Sequence, residues 1–394
     1  MQELIDLRIN LEAWLILGAV TALPAAAIWF YLVRPRPLLP PVRRRLVPWS
    51  GFEILAVLFL VLFFWPALAA AVVQHSGFLN WLYGDPIDPV HKNAAAELAS
   101  DRLIFWTTIL AWPEQVATII LVLRLASNTK PYQLGLTTYA APRNVVAGWL
   151  GFAGLTPFVI SVHLLMLWVF RSWFHFPAED HPVLRVVQAR PAAVEACMMI
   201  LMVVVLAPVL EEILFRGMLQ PWLARQEWGG QAAVLGSLVI TMVVRYAKIQ
   251  ALHRPGATEI AQQMAPFLFI LLLAPGLLLL HRLPRNWGFA QKKVSGTLRR
   301  SKLPHLLSLE SSRHLFLGKA SNWLGTPCEG RALYGTALLF AMSHANVWPA
   351  PISLFLLALG LGWLAQRTQS LLGPMIWHAL FNGVACVELL LTRS

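Results

Sequence analysis

The stretch MMILMVVVLAPVLEEILFRG, residues 198–217, decides how the rest of the chain is read. Apolar residues run from Met198 to Leu210, and two adjacent carboxylates, Glu211 and Glu212, then close the run together with Arg216 and Gly217. Ionisable residues within an apolar helix are expensive and usually mark a site. Whether this one lies in a membrane depends on what surrounds it.

Outward from that stretch the composition is uniform in character. Of 394 residues, 58% are hydrophobic and 13% charged, with mean hydropathy +0.62, whereas a soluble domain is about 25% charged. The formal charge of +12 does not point to nucleic acid, because the basic residues sit in the gaps between apolar runs and form no compact basic domain. Three cysteines, Cys197, Cys328 and Cys386, have no CxxC spacing and support neither a disulfide framework nor a cysteine metal site.

A helix needs roughly 20 apolar residues to cross the hydrocarbon core. Candidate runs lie at 11–33, 51–74, 103–126, 146–170, 193–217, 232–247, 264–283, 332–348, 351–367 and 372–391. The expected fold is an all-α polytopic transmembrane helical bundle with about 8–10 membrane-spanning helices. The first run follows Glu3 and Asp6, is too long for a signal-peptide core and ends at Arg34, so it reads as a retained helix.

Loops that stay in the cytoplasm retain Lys and Arg. Arg34, Arg36, Arg43, Arg44 and Arg45 make one such loop; the next, with Asp85, Asp88, Lys92, Glu97 and Asp101, is balanced or acidic; the one after it carries Arg124, Lys130 and Arg143. The largest basic stretch, about 282–331, falls on the same side as the first, which places both termini outside the cytoplasm. Lys248 and Arg254, facing only Glu259, run against this alternation. No internal repeat is evident, which argues against an inverted-repeat transporter.

Three polar clusters interrupt the apolar helices: Glu211-Glu212 with Arg216, Phe340 with His344, and His378 with Asn382. Positions four apart share a helix face, so Glu212 meets Arg216 while Glu211 points about 100° away and is left for a partner. His378 and Asn382 likewise share a face. Together they supply a carboxylate, two imidazoles and a carboxamide, enough to activate water and to stabilise an oxyanion. Each motif alone also fits a plain reading, as interfacial acids paired with Arg216 and Arg225 or as packing histidines.

The triplet EExxxR, FxxxH and HxxxN, in that order on three helices, resembles the CPBP family of CAAX proteases and bacteriocin-processing enzymes. The resemblance spans about 130–391, starting at KPYQLGL, residues 130–136, and leaves residues 1–129 as N-terminal transmembrane helices. It implies an intramembrane endopeptidase acting on membrane-associated protein or peptide substrates, in a bacterial inner (cytoplasmic) membrane. It further implies Glu211 as general base polarising water with His344, His378 and Asn382 as the oxyanion hole, and Glu212, Arg216 and Phe340 in support. On the mechanism the resemblance implies, no bound metal or other cofactor is needed. A zinc-dependent version stays open, since two histidines and a glutamate can bind zinc, but no helix carries HExxH.

One departure from the family pattern is the 133-residue separation of Glu211 and His344. It reads as an insertion at about 230–330, containing the runs 232–247 and 264–283. Two added crossings keep the side from which the next helix enters. Outside the motifs, Glu114 and His163 are candidates to line the cavity, and Glu53 and Glu195 sit near helix starts, where the dipole favours a carboxylate. Gly148, Gly151, Gly154, Gly360 and Gly362 permit close helix approach. The competing readings are a proton-coupled transporter, with Glu211 and the histidines as a relay, and an inactive scaffold.

Overall fold

Lipid offers no hydrogen-bond partners, so an apolar chain satisfies its backbone within helices. A computed structural model describes residues 39, 47–83, 92–176, 186, 193–250, 256–282 and 327–391, which form helices joined by short connections, with no strand among them. In chain order the helices are α1 Gly51–His75, α2 Phe78–Tyr83, α3 Lys92–Ser127, α4 Ala141–Ser172 and α5 Ala193–Arg225. They continue with α6 Gly229–Gln250, α7 Ala257–Arg282, α8 Pro327–Ser343, α9 Ala350–Thr368 and α10 Leu372–Leu391. Seven, namely α1, α3 to α7 and α9, contain segments long and apolar enough to cross a membrane, and α10 contributes a shorter apolar helix, Leu372–Val387. The chain is a multi-pass integral membrane protein. The expected helix at 11–33 and nearly all of the two basic stretches, 34–45 and 282–331, lie outside the described residues.

Two boundaries differ from the sequence reading. Helix α5 does not close after the glutamate pair but continues to Arg225, because residues 220–224 are all buried against the bundle. Glu211 and Glu212 are therefore well inside it. Helix α8 begins at Pro327 and ends at Ser343, so His344 opens a short 3-10 turn, Ala345–Val347, instead of continuing the helix. Ser343 Oγ donates to the Phe340 carbonyl at 2.7 Å, and Pro349 biases Trp348 away from the helical region.

Helix α5 carries wide π-helical turns at Met202–Leu206 and Glu212–Leu219, either side of Glu211. Pro208 has no N–H to return to the preceding turn. The carbonyl of Val203, five residues back, instead accepts from Asn382 Nδ2 at 2.8 Å, and that of Leu206 accepts from Trp112 Nε1 at 2.7 Å. Neighbouring helices thus complete hydrogen bonds that α5 cannot make alone. At its start, Glu195 is 1% exposed and accepts from Tyr83 Oη at 2.7 Å and from Arg102 Nε at 3.1 Å. Burial and then the bond to Glu195 push the Tyr83 hydroxyl up to about 12, so it remains a donor.

Helix α8 lies at the centre, packed by α5, α6, α7 and α9, with Leu338, Phe340 and Met342 fully buried. Helix α10 lies against α4, α9 and α5. A Cβ on Gly148 would sit 2.5 Å from the Gly373 carbonyl oxygen, so α4 and α10 touch backbone to backbone. The Trp377 ring occupies the space over Gly151 and Gly360, where added Cβ atoms would lie 2.5 and 2.4 Å from it, and its Nε1 donates to Thr156 Oγ1 at 3.1 Å. That wedge fixes the rotation of α10 and with it the direction of His378. Gly360→Val is expected to destabilise the protein by about 1–3 kcal/mol through overpacking. Thermal unfolding in detergent measures it; an unchanged midpoint would mean that the ring relocates freely.

Candidate active site

Helix α5 supplies two carboxylates with different surroundings. Glu212 is fully buried, and its Oε1 accepts from Arg216 Nη1 at 2.9 Å. The same oxygen lies 2.9 Å from His378 Nδ1 on α10. The Arg216 guanidinium stands 4.4 Å from the centroid of the Phe340 ring, and that ring packs in turn on His344 and His378, at 5.0 and 5.7 Å between centroids. Phe340 is thus the apolar wall that keeps the pair, and both imidazoles, in place.

Glu211 is the accessible acid, its side chain 24% exposed. Its Oε1 lies 3.9 Å from His344 Nε2 and its Oε2 3.7 Å from His378 Nε2. These separations exceed a direct hydrogen bond, and polar groups so spaced are commonly joined through water. The histidine side chains differ in exposure, 26% for His344 and 4% for His378. The accessible side of the cluster is the one shared by Glu211 and His344.

The partners of the two Nδ1 atoms set the tautomers. A backbone carbonyl can only accept, so His344 Nδ1, 3.0 Å from the Phe340 carbonyl and 3.1 Å from Ser343 Oγ, is the donor. Glu212 Oε1 already accepts from Arg216, so His378 Nδ1 donates to it as well. In their neutral forms both imidazoles then turn an Nε2 lone pair toward Glu211. Asn382, one turn beyond His378, directs its amide to Val203.

Two histidines and a glutamate are the donor kinds that zinc takes. As placed they do not form such a centre: among the described residues no group of three or more His, Cys, Asp or Glu side chains is arranged to hold a metal ion.

The structure therefore brings Glu211, Glu212, Arg216, Phe340, His344 and His378 together, and ties Asn382 to the carbonyl of Val203, eight residues before Glu211 on α5. Glu114 is exposed and turned from the core, while His163 Nδ1 lies 3.2 Å from Ser353 Oγ. Two features escaped the sequence reading. Glu212 is shared between Arg216 and His378, which only the crossing of α5 and α10 reveals. Arg245 on α6 is fully buried and donates to the Ala345 carbonyl at 2.6 Å, in the turn that follows His344. A lone arginine in an apolar run is the signal that could have found it.

The geometry defines a helical membrane protein with a carboxylate pair and two histidines gathered inside its bundle. A family model described as "Type II CAAX prenyl endopeptidase Rce1-like" matches residues 193–283 and 312–384. Those residues are similar to a domain of that family, a CPBP domain. The match runs through α5, α6 and α7, leaves out 284–311, and takes in α8, α9 and α10 as far as residue 384. By its description that family is one of endopeptidases. No curated protein and no solved structure matches the chain.

Proposed function

We propose that the protein is an intramembrane endopeptidase in which Glu211 activates the hydrolytic water. The observation that carries this reading is the position of Glu211, partly exposed between the Nε2 atoms of His344 and His378 at 3.9 and 3.7 Å. A water held there donates one hydrogen to Glu211 and the other to His344 Nε2, and turns a lone pair toward the scissile carbonyl. As the water attacks, Glu211 takes its proton and later passes it to the leaving amine.

The oxyanion falls to His378 and Asn382. With Nδ1 committed to Glu212, His378 can donate from Nε2 only when doubly protonated; Glu211, Glu212, Arg216 and His378 then sum to zero charge. Asn382 has two amide hydrogens. One is used on Val203, which orients the group and leaves the second as a donor. Pre-placed donors of this kind stabilise charge as it develops, with no reorganisation during reaction. Glu212 and Arg216 orient His378 and do not touch substrate. The substrate is a membrane-associated protein or peptide in a bacterial inner membrane.

The test compares membrane proteomes of cells carrying the wild-type chain and Glu211→Ala. Fragments present with the first are expected to vanish with the second, and to persist when isolated wild-type membranes are incubated with a zinc chelator. Identical fragments in both strains would remove the protease reading. Fragments lost on chelation and restored by zinc would keep the protease and replace metal-free water activation.

A further inference from the structure

The reactive face of His344 depends on a turn that makes few hydrogen bonds of its own. Helix α8 stops at Ser343, and a helix end leaves carbonyls without amide partners. The His344 amide returns to the Ala341 carbonyl at 3.0 Å and the Val347 amide to the His344 carbonyl at 3.1 Å. The two carbonyls between, of Ala345 and Asn346, are taken by cations from helix α6. Arg245 Nη1 donates to Ala345 at 2.6 Å and Lys248 Nζ to Asn346 at 2.6 Å.

Arg245 is itself held. Its Nε donates to Gln263 Oε1 at 3.0 Å and its Nη2 to the Gln262 carbonyl at 3.4 Å, both on α7. A fully buried guanidinium is costly unless its hydrogen bonds are satisfied, and one inside an apolar helix is a reason to look for function. It also stands at the C-terminal end of α8, where positive charge is favoured by the helix dipole. The turn is thus clamped from α6, with α7 bracing the clamp.

We propose that Arg245, assisted by Lys248, is a positioning residue for the hydrolytic reaction: it holds the 345–347 turn so that the His344 imidazole faces Glu211. This rests on the role given to His344 above. Without the clamp, the turn can swing, and His344 Nε2 leaves the position 3.9 Å from Glu211. Displacements of about 1 Å at such groups can cost on the order of 100-fold in rate.

The experiment reads placement and rate separately, on the full chain in detergent micelles. Placement is the rate at which diethyl pyrocarbonate modifies His344, followed by mass spectrometry, with His163 and His378 as internal references. Rate is the cleavage of a quenched fluorescent peptide that the wild type hydrolyses, with Glu211→Gln as the control for the parent reading. Arg245→Gln is expected to speed modification of His344 several-fold, leave the reference histidines unchanged, and lower kcat by about 10- to 100-fold with little change in KM. Arg245→Lys should recover part of both, and Lys248→Met should show a smaller effect of the same kind.

If Arg245→Gln does not fold, Arg245→Lys and Lys248→Met carry the test. Wild-type modification of His344 in folded variants, or equal gains at all three histidines, would overturn the proposal and leave α6 as packing alone. Faster His344 modification with kcat unchanged would overturn it as well, while inactivity of Glu211→Gln would still support the parent reading. Full activity in Glu211→Gln would sink the parent reading and, with it, the catalytic role assigned to the clamp.

Discussion

Glu211→Gln is expected to lose about 10²–10⁴-fold in peptidase activity, the usual contribution of a general base, while folding as the wild type does. The amide keeps the shape of the carboxylate and can still meet His344 and His378, but it cannot take a proton from water. The side chain is partly exposed and lies 3.9 and 3.7 Å from its two neighbours, so little structural energy depends on it. Purified protein assayed on a peptide substrate, with thermal unfolding alongside, separates the two effects. Near wild-type turnover in a folded Glu211→Gln protein would reject the assignment.

Arg216→Ala is expected to act the other way, on stability before chemistry. The guanidinium and the Glu212 carboxylate are both buried and 2.9 Å apart, and the guanidinium also covers the face of Phe340. Removing one member of a buried pair costs about 3–5 kcal/mol, because the other charge is left without compensation. Glu212 would retain only His378 among these partners, and the site's charge would become one unit more negative. A large fall in yield and unfolding temperature is the expected result. A protein as stable as wild type yet inactive would show that Arg216 takes part in the reaction instead.

How much of this could be read in the sequence follows from which contacts are local. Glu212 and Arg216 are four residues apart on one helix, and that spacing alone placed them together. The glycine positions on α4 and α9 were legible as close approaches, but what fills them, the ring of Trp377, was not. The bond from His378 to Glu212 joins residues 166 apart and depends on how far α10 is rotated, which Trp377 decides. No local periodicity encodes that.

The end of α8 is not legible in the sequence because Ala345, Val347 and Trp348 are as apolar as the helix before them. The hydrogen bonds of Ser343 and His344 and the proline at 349 stop it. Lys248 looked anomalous when charges were counted by loop. The structure commits it, with Arg245, to the carbonyls after His344.

The wide turns of α5 have a bearing on how the chain tolerates length changes. Each such turn holds one residue more than a regular turn needs, so it takes up a residue without changing how the segments above and below it face. Deleting one residue within Met202–Leu206 would restore ordinary winding and leave the segment N-terminal to it facing nearly as it does now, because four residues of regular helix turn through about 400°, close to what the five of the wide turn cover. Glu195 would still face Tyr83 and Arg102, and Glu212 and Arg216 would stay in step with each other. A one-residue length change at that turn is therefore absorbed locally, and both ends of the helix keep their partners.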